Sequence, residues 1–144
     1  MKQRIEVSQL QDLSPEQQDK LRAWWTPQEG DWIYHNWTTD CYSISRGKHT
    51  EWHWHIGVIF DSRLDDKEGP IAIYKILEGT AYYSGRGGFR LGDTGVCLLP
   101  SVGQLIQLLQ EKDGLDTCVY LDGSSIVEDN NICDKLFRAV KEIL

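Results

Sequence analysis

Residues 49–57, HTEWHWHIG, hold three of the four histidines of the chain, two of its six tryptophans and a glutamate. Imidazole nitrogen and carboxylate oxygen are common ligands of zinc and other divalent cations. His53 and His55 are two residues apart, so in an extended strand they lie on one face together with Glu51. The spacing therefore predicts a candidate metal site at Glu51, His53 and His55.

The same stretch is also typical of a strand that binds no metal. Trp52 and Trp54 alternate with the histidines, which predicts an apolar buried face and a polar face turned to solvent. A tetrahedral site needs three or four ligands, and a third one such as Glu51, His35 or Cys41 must point to the same spot. The sequence favours the strand interpretation, with no cofactor expected. A divalent metal such as zinc is the alternative.

One other stretch is a candidate for chemistry. The glycine-rich run 84–95, SGRGGFRLGDTG, lacks the Lys-Ser/Thr pair of a phosphate loop and is predicted to be a turn between strands. Arg86 and Arg90 are candidate anion-binding residues there. Nucleophile motifs such as G-x-S-x-G do not occur. We therefore expect a protein that acts by binding rather than by catalysis.

Composition limits the class of protein. The 144 residues suit a single domain, 1–144, and carry a net charge of −7 with scattered Lys and Arg, which disfavours nucleic-acid binding. Clustered carboxylates leave mimicry of nucleic acid as an alternative. No apolar run approaches the roughly 20 residues of a membrane span. We expect a cytoplasmic protein with reduced cysteines and no membrane partner.

Helices are predicted at both ends of the chain. Ser14, Pro15 and Gln17 form a capping pattern that begins a helix ending at Trp25. Ser101 begins a second helix that ends near residue 112, and a last helix occupies the residues after 131. Between the second and last helices, Asp122-Gly123 predicts a β-hairpin.

Short β-like runs separated by turn residues fill 30–99, with a polar loop at 61–69. Their close spacing leaves no room for crossover helices, so the strands are expected to be antiparallel. The predicted fold class is α+β: a β-rich, barrel-like middle, an N-terminal helix and a C-terminal α-β-β-α portion.

The tryptophans divide into two expected groups. Trp24, Trp52 and Trp54 are predicted to build the core, since each buries a large area. Trp32 and Trp37 lie in one strand with Tyr34, where both faces carry aromatic rings. These three residues, Trp32, Tyr34 and Trp37, are the candidate protein-contact surface, and the expected partner is another protein or a second copy of the chain.

Three segments resemble a group of small uncharacterised proteins of bacterial viruses and prophages: WWTPQEGDWIY (24–34), LLPSVGQLIQLLQEK (98–112) and KLFRAVKEIL (135–144). The group shows a W-x-P-x-x-G-D opening, an LP…QL…LL helix and a short last helix. The resemblance implies a phage or prophage accessory protein in the cytoplasm of a bacterial host. Such a protein would act by protein binding or self-association.

A weaker resemblance links residues 47–100 to cupins. Gly47 and the HWH run at 53–55 resemble the start of the cupin metal motif, and 76–100 resembles the hairpin that follows it. Ile-Phe at 59–60 replaces the cupin glutamate, and 101–104 lacks the later histidine. We interpret the likeness as convergent. It implies, as the alternative function, a cupin-like metal-binding protein or metalloenzyme that uses the two histidines.

Overall fold

The computed structural model describes residues 3–65, 69–80, 85–113 and 132–144. The chain divides into two compact units: one comprises 26–98, and the other joins 1–25 to 99–144. The described elements confirm the α+β class, with an antiparallel sheet and helices at both ends. Within the described residues no helix has the length and apolar character needed to cross a membrane. The single domain remains a prediction.

Four described helices belong to the second of these units. They are α1 (Val7–Gln11), α2 (Pro15–Trp24), α3 (Val102–Asp113) and α4 (Ile132–Ile143). The short α1 was not predicted. The other three agree with the helices expected from the sequence.

Capping boxes begin α2 and α3 as the sequence predicted. The Ser14 hydroxyl accepts a hydrogen bond from the amide of Gln17 at 3.2 Å, and the Gln17 side chain accepts one from the amide of Ser14 at 2.9 Å. Ser101 and Gln104 repeat both bonds. Each box satisfies amide groups that the helix itself leaves without a partner.

The helices are joined by an apolar core and by side-chain hydrogen bonds. α3 packs against α4, and Leu105, Leu108, Leu136 and Val140 are almost completely buried. Side chains from the first two helices reach the last one: Gln9 donates to Asp134 at 2.8 Å, and Gln17 donates to the carbonyl of Lys141 at 2.8 Å.

The other unit contains one antiparallel sheet. Its strands are β1 (Trp32–Ser43), β2 (Gly47–Asp65), β3 (Gly69–Gly79), β4 (Arg86–Arg90) and β5 (Val96–Leu98). Their order across the sheet is β4-β3-β2-β1-β5, so the two longest strands, β1 and β2, form a hairpin near its centre.

Two local predictions in the sheet were wrong. Strand β2 continues to Asp65 and β3 begins at Gly69, so most of the expected loop at 61–69 is strand. Pairing explains the difference, because Asp61 and Ser62 have partners on β3 and continue the ladder despite their polarity. The glycine-rich run 84–95, expected to be a turn, contains β4. The predicted Asp122-Gly123 hairpin lies outside the described residues.

The buried face of β2 is the opposite of the face that the sequence predicted to be buried. His55, Gly57 and Ile59 are buried, whereas Trp52 is 53% exposed, so the prediction that Trp52 belongs to the core was wrong. Trp54 is half-buried. Alternation along a strand separates the two faces but does not say which of them is covered. The histidines lie on the more buried face.

Candidate functional site

The more buried face of the β1–β2 hairpin carries the four histidines together with Cys41 and Glu51. Directly paired residues of an antiparallel ladder point to the same side. The register pairs His35 with His55, Trp37 with His53, Thr39 with Glu51, and Cys41 with His49. We call these eight residues, together with Tyr74 of β3, the histidine face.

One end of the histidine face carries a candidate metal-ligand cluster. The ligand atoms of Cys41, His49 and Glu51 all lie within 4.8 Å of one another. Nε2 of His49 is 3.1 Å from Oε1 of Glu51. The sulfur of Cys41 is held beside Thr39, 3.5 Å from its hydroxyl oxygen. A thiol, an imidazole and a carboxylate thus converge from two adjacent strands.

The hydrogen bonds of His49 define which ring nitrogen faces the cluster. Nδ1 lies 3.0 Å from the carbonyl oxygen of Gly47. A carbonyl only accepts hydrogen bonds, so Nδ1 carries a proton and Nε2 is the nitrogen turned to Glu51. When Nε2 donates to the carboxylate the ring holds two protons. When a cation lies between them, Nε2 presents its lone pair instead.

Glu51 is the most exposed of the three cluster residues. Its pKa is lowered from the ordinary value, mainly because it accepts a hydrogen bond from His49, with further contributions from the Cys41 thiol and from the charge of His53. The carboxylate form that a metal requires is therefore favoured at this position.

His53 belongs to a neighbouring arrangement. Its Nε2 lies 2.9 Å from the hydroxyl of Thr39 and 3.9 Å from Oε2 of Glu51. The ring also stacks on Trp37 with centroids 5.4 Å apart. His53 thus stands beside the cluster with its Nε2 already engaged by Thr39.

The other end of the face is centred on Tyr74. Its hydroxyl oxygen lies 2.9 Å from Nδ1 of His35 and 2.8 Å from Nδ1 of His55. Trp37 packs on both imidazoles with centroids 4.7 Å away. Phe89 of β4 lies beyond, at 6.2 Å from the Tyr74 ring and 6.4 Å from that of His35.

Burial controls protonation at this end. It lowers the pKa of His35. The negative charge of Asp93 opposes this effect, and positive charge on a protonated His55 reinforces it. Burial also raises the pKa of Tyr74, which therefore keeps its hydroxyl proton at neutral pH. His55 is 5% exposed.

The structure divides the predicted metal residues between these two ends. Glu51 lies with His49 and Cys41, while His55 lies with Tyr74 and His35, and His53 stands between them. Cys41 was predicted as a possible additional ligand. His49 was not among the predicted ligands. It lies on the same face as Glu51 and His53, because these three residues alternate along the strand. Tyr74 lies on another strand, and no spacing in the sequence relates it to the histidines.

The other predicted site residues have different surroundings. Tyr34 is buried, and Trp32 and Trp37 are half-buried, so the expected contact surface is only partly accessible. Arg86 and Arg90 are exposed on β4, four residues and roughly 13 Å apart, and Arg86 lies 5.5 Å from the centre of the Phe60 ring. Both roles remain predictions.

No protein-family model, curated protein sequence or solved structure matches this chain.

Proposed function

We propose that this protein binds a transition-metal ion, with zinc as the best candidate, through Cys41, His49 and Glu51. The observation that carries the proposal is the convergence of their three ligand atoms within 4.8 Å. A thiolate combined with imidazole and carboxylate favours zinc and related metals over magnesium or calcium, which prefer ligand sets made only of oxygen.

The distance between the His49 and Glu51 ligand atoms is close to that of a metal site. Zinc bonds of about 2.0–2.3 Å in a tetrahedron separate the ligand atoms by about 3.3–3.6 Å. The His49–Glu51 distance of 3.1 Å is near this range. The Glu51 side chain is 46% exposed, so it can adjust its position as the cation enters.

The carbonyl of Gly47 supplies the support that metal-bound histidines usually have. A ligating imidazole generally donates its other N–H to a carbonyl or carboxylate, which holds the ring and its tautomer in place. The 3.0 Å contact from Nδ1 of His49 to Gly47 has this form. The ring orientation is therefore set by the hairpin backbone.

Three protein ligands leave one position of a tetrahedral ion open. The Glu51 side chain, one of the three ligands, is 46% exposed. Water or a small ligand can reach an ion at this position. A site with these properties suits reversible binding of a fourth ligand.

Zinc stoichiometry of untagged, chelator-treated protein and of single variants tests the proposal. Isothermal titration should give one zinc per chain for the wild type. Cys41→Ser and His49→Asn should each weaken binding at least about tenfold, since loss of supporting residues alone costs that much. Asn at position 49 can still donate to the Gly47 carbonyl, so the variant removes Nε2 and leaves the support.

His53→Gln is the matched comparison, because Gln can retain the bond to Thr39. It should bind zinc like the wild type. Loss of binding in His53→Gln with retention in His49→Asn would show a site centred on His53 and overturn the proposed ligand set. A wild type that takes up no zinc would overturn the function.

A second proposed function is protein binding through the outer side and the tip of the same hairpin. Tyr42, Ile44 and Trp52 are 75%, 100% and 53% exposed, which is unusual for large apolar side chains. We propose a second copy of the chain as the partner. Self-association would cover these three side chains.

Sedimentation velocity over a range of protein concentrations tests this function. The wild type should form a dimer as its concentration rises, and Ile44→Asp should shift the equilibrium toward the monomer. The substitution lies in the turn between β1 and β2, so it removes no ladder hydrogen bond. A wild type that stays monomeric at every concentration would contradict self-association.

A further inference from the structure

A single hydroxyl group joins the rings of His35 and His55. Oη of Tyr74 lies 2.9 Å from Nδ1 of one ring and 2.8 Å from Nδ1 of the other. A phenol has one proton to donate, so it can donate to only one of the two nitrogens. The other Nδ1 must carry a proton and donate it to Oη. The two neutral rings are therefore opposite tautomers.

Burial favours the neutral forms of His35 and Tyr74, since it lowers the pKa of the first and raises that of the second, and His55 is itself only 5% exposed. A tyrosinate could accept from both rings, but burial disfavours that charge. Only one ring at a time can thus present an unprotonated Nε2. This restriction links the protonation of the half-buried His35 to that of the buried His55.

We propose that His35, Tyr74 and His55 form a proton relay, a second chemical site on the histidine face. Nε2 of His35 takes a proton from the O–H or N–H group of a small polar ligand, and Nδ1 of the same ring passes its proton to Oη. The hydroxyl proton moves to Nδ1 of His55, whose Nε2 releases a proton to a hydrogen-bond acceptor.

The step balances without any other reactant. One proton enters at His35 and one leaves at His55. Each ring changes from one neutral tautomer to the other, and the total charge of the three groups stays the same. No buried ion is left behind, which is what a relay through a desolvated site requires. The reverse direction uses the same atoms.

Glycines on three strands give the relay its space. A Cβ atom at Gly57 or at Gly87 would lie 2.3 Å from the ring of Tyr74, and one at Gly79 would lie 2.7 Å from Cδ2 of His55. Trp37 packs against both imidazoles. The rings therefore have little freedom to leave the hydroxyl, and proton transfer needs no movement of the backbone.

Long-range ¹H–¹⁵N spectra of ¹⁵N-labelled protein at pH 7.5, recorded with chelator present, test the relay independently of zinc. The fraction of each ring protonated at Nδ1 can be read from its nitrogen shifts. For His35 and His55 these two fractions should add up to one. A sum near zero or near two, or a doubly protonated ring, would overturn the proposal.

Relaxation dispersion of the same nitrogens measures movement of the protons. The two rings should exchange with one common rate constant, and Tyr74→Phe, which removes only the hydroxyl, should abolish this shared exchange. Exchange at one ring alone, or none in the wild type, would overturn the relay. The wild-type measurements decide the matter even if Tyr74→Phe does not fold.

Discussion

The ring of Tyr74 fills space that two glycines leave open on the neighbouring strands. Gly57 lies on β2, which is paired with the strand of Tyr74. Gly87 of β4 is the direct ladder partner of Tyr74. At either position a Cβ atom would lie 2.3 Å from a ring carbon, far inside van der Waals contact. The position of the hydroxyl between His35 and His55 thus depends on the absence of two side chains.

Gly87→Ala should therefore destabilise the protein by about 1–3 kcal/mol, the usual cost of overpacking. Gly88→Ala is the matched control, because its Cβ would meet only Ala72 and Ile71 at 3.5 and 3.7 Å, which is ordinary contact. We expect the control to change stability by no more than about 1 kcal/mol, in either direction. Urea unfolding measures both. Equal losses would contradict a specific contact with Tyr74.

His35 should make the stability of the protein depend on pH. Burial holds the pKa of His35 below its ordinary value in the folded chain, so between about pH 6.5 and that lower pKa the unfolded state binds more protons. Stability should therefore fall as the pH drops below about 6.5. The slope should be well under the single-proton limit of about 1.4 kcal/mol per pH unit, because the ring is only partly buried.

The control variant for this pH effect is His35→Asn. This substitution removes the titratable imidazole and keeps an amide within reach of the Tyr74 hydroxyl. Urea unfolding at pH 7.5, 6.5 and 5.5, with chelator, should show a smaller loss on acidification in the variant. An unchanged loss would mean that other groups cause the pH dependence.

At the scale of elements, local and non-local forces act on different parts of the chain. Capping boxes begin α2 and α3 through bonds between residues three apart. The strands of the sheet also depend on ladders between residues distant in sequence, such as the pairing of Ile33 on β1 with Leu98 on β5. A cap can therefore be tested by a change at one residue.

Ser14→Ala should cost about 1 kcal/mol of stability, since it removes the oxygen that accepts from the amide of Gln17. Ser45→Ala, in the exposed turn between β1 and β2, should change stability by less than about 0.5 kcal/mol. Thermal or urea unfolding of the two variants gives the comparison. A cost at position 45 equal to that at position 14 would contradict the capping role.

The same division explains what could be predicted from the sequence. The starts of α2 and α3 were predicted because all their determinants are local. The buried side of β2 was assigned wrongly, because His55 is accommodated by Tyr74 and Gly79 from β3, which no spacing within β2 reveals. Glu51 was included among the candidate ligands, whereas His49 was recognised only once the hairpin register was known.

At the scale of the whole molecule, the proposed chemistry lies in one of the two compact units. All nine residues of the histidine face fall within 26–98, while the described helices belong to the other unit. Zinc at Cys41, His49 and Glu51 would join β1 to β2 near their turn. Its stabilising effect should therefore be local to the sheet.

Amide hydrogen exchange with and without zinc measures this locality. Protection should increase in β1 and β2, which carry the ligands, and should change little in α3 and α4. Cys41→Ser should lose the effect in the sheet. Zinc-dependent protection confined to the helices would contradict a site in the hairpin.

The most direct measurement of the central claim is a titration of chelator-treated, reduced protein with cobalt(II), followed by absorption spectroscopy. Cobalt replaces zinc in sites of this type, and a thiolate ligand gives a charge-transfer band in the near ultraviolet. We expect this band to saturate at one cobalt per chain in the wild type and to be absent from Cys41→Ser. A wild type without the band, or a band that persists in Cys41→Ser, would contradict a metal site at Cys41, His49 and Glu51.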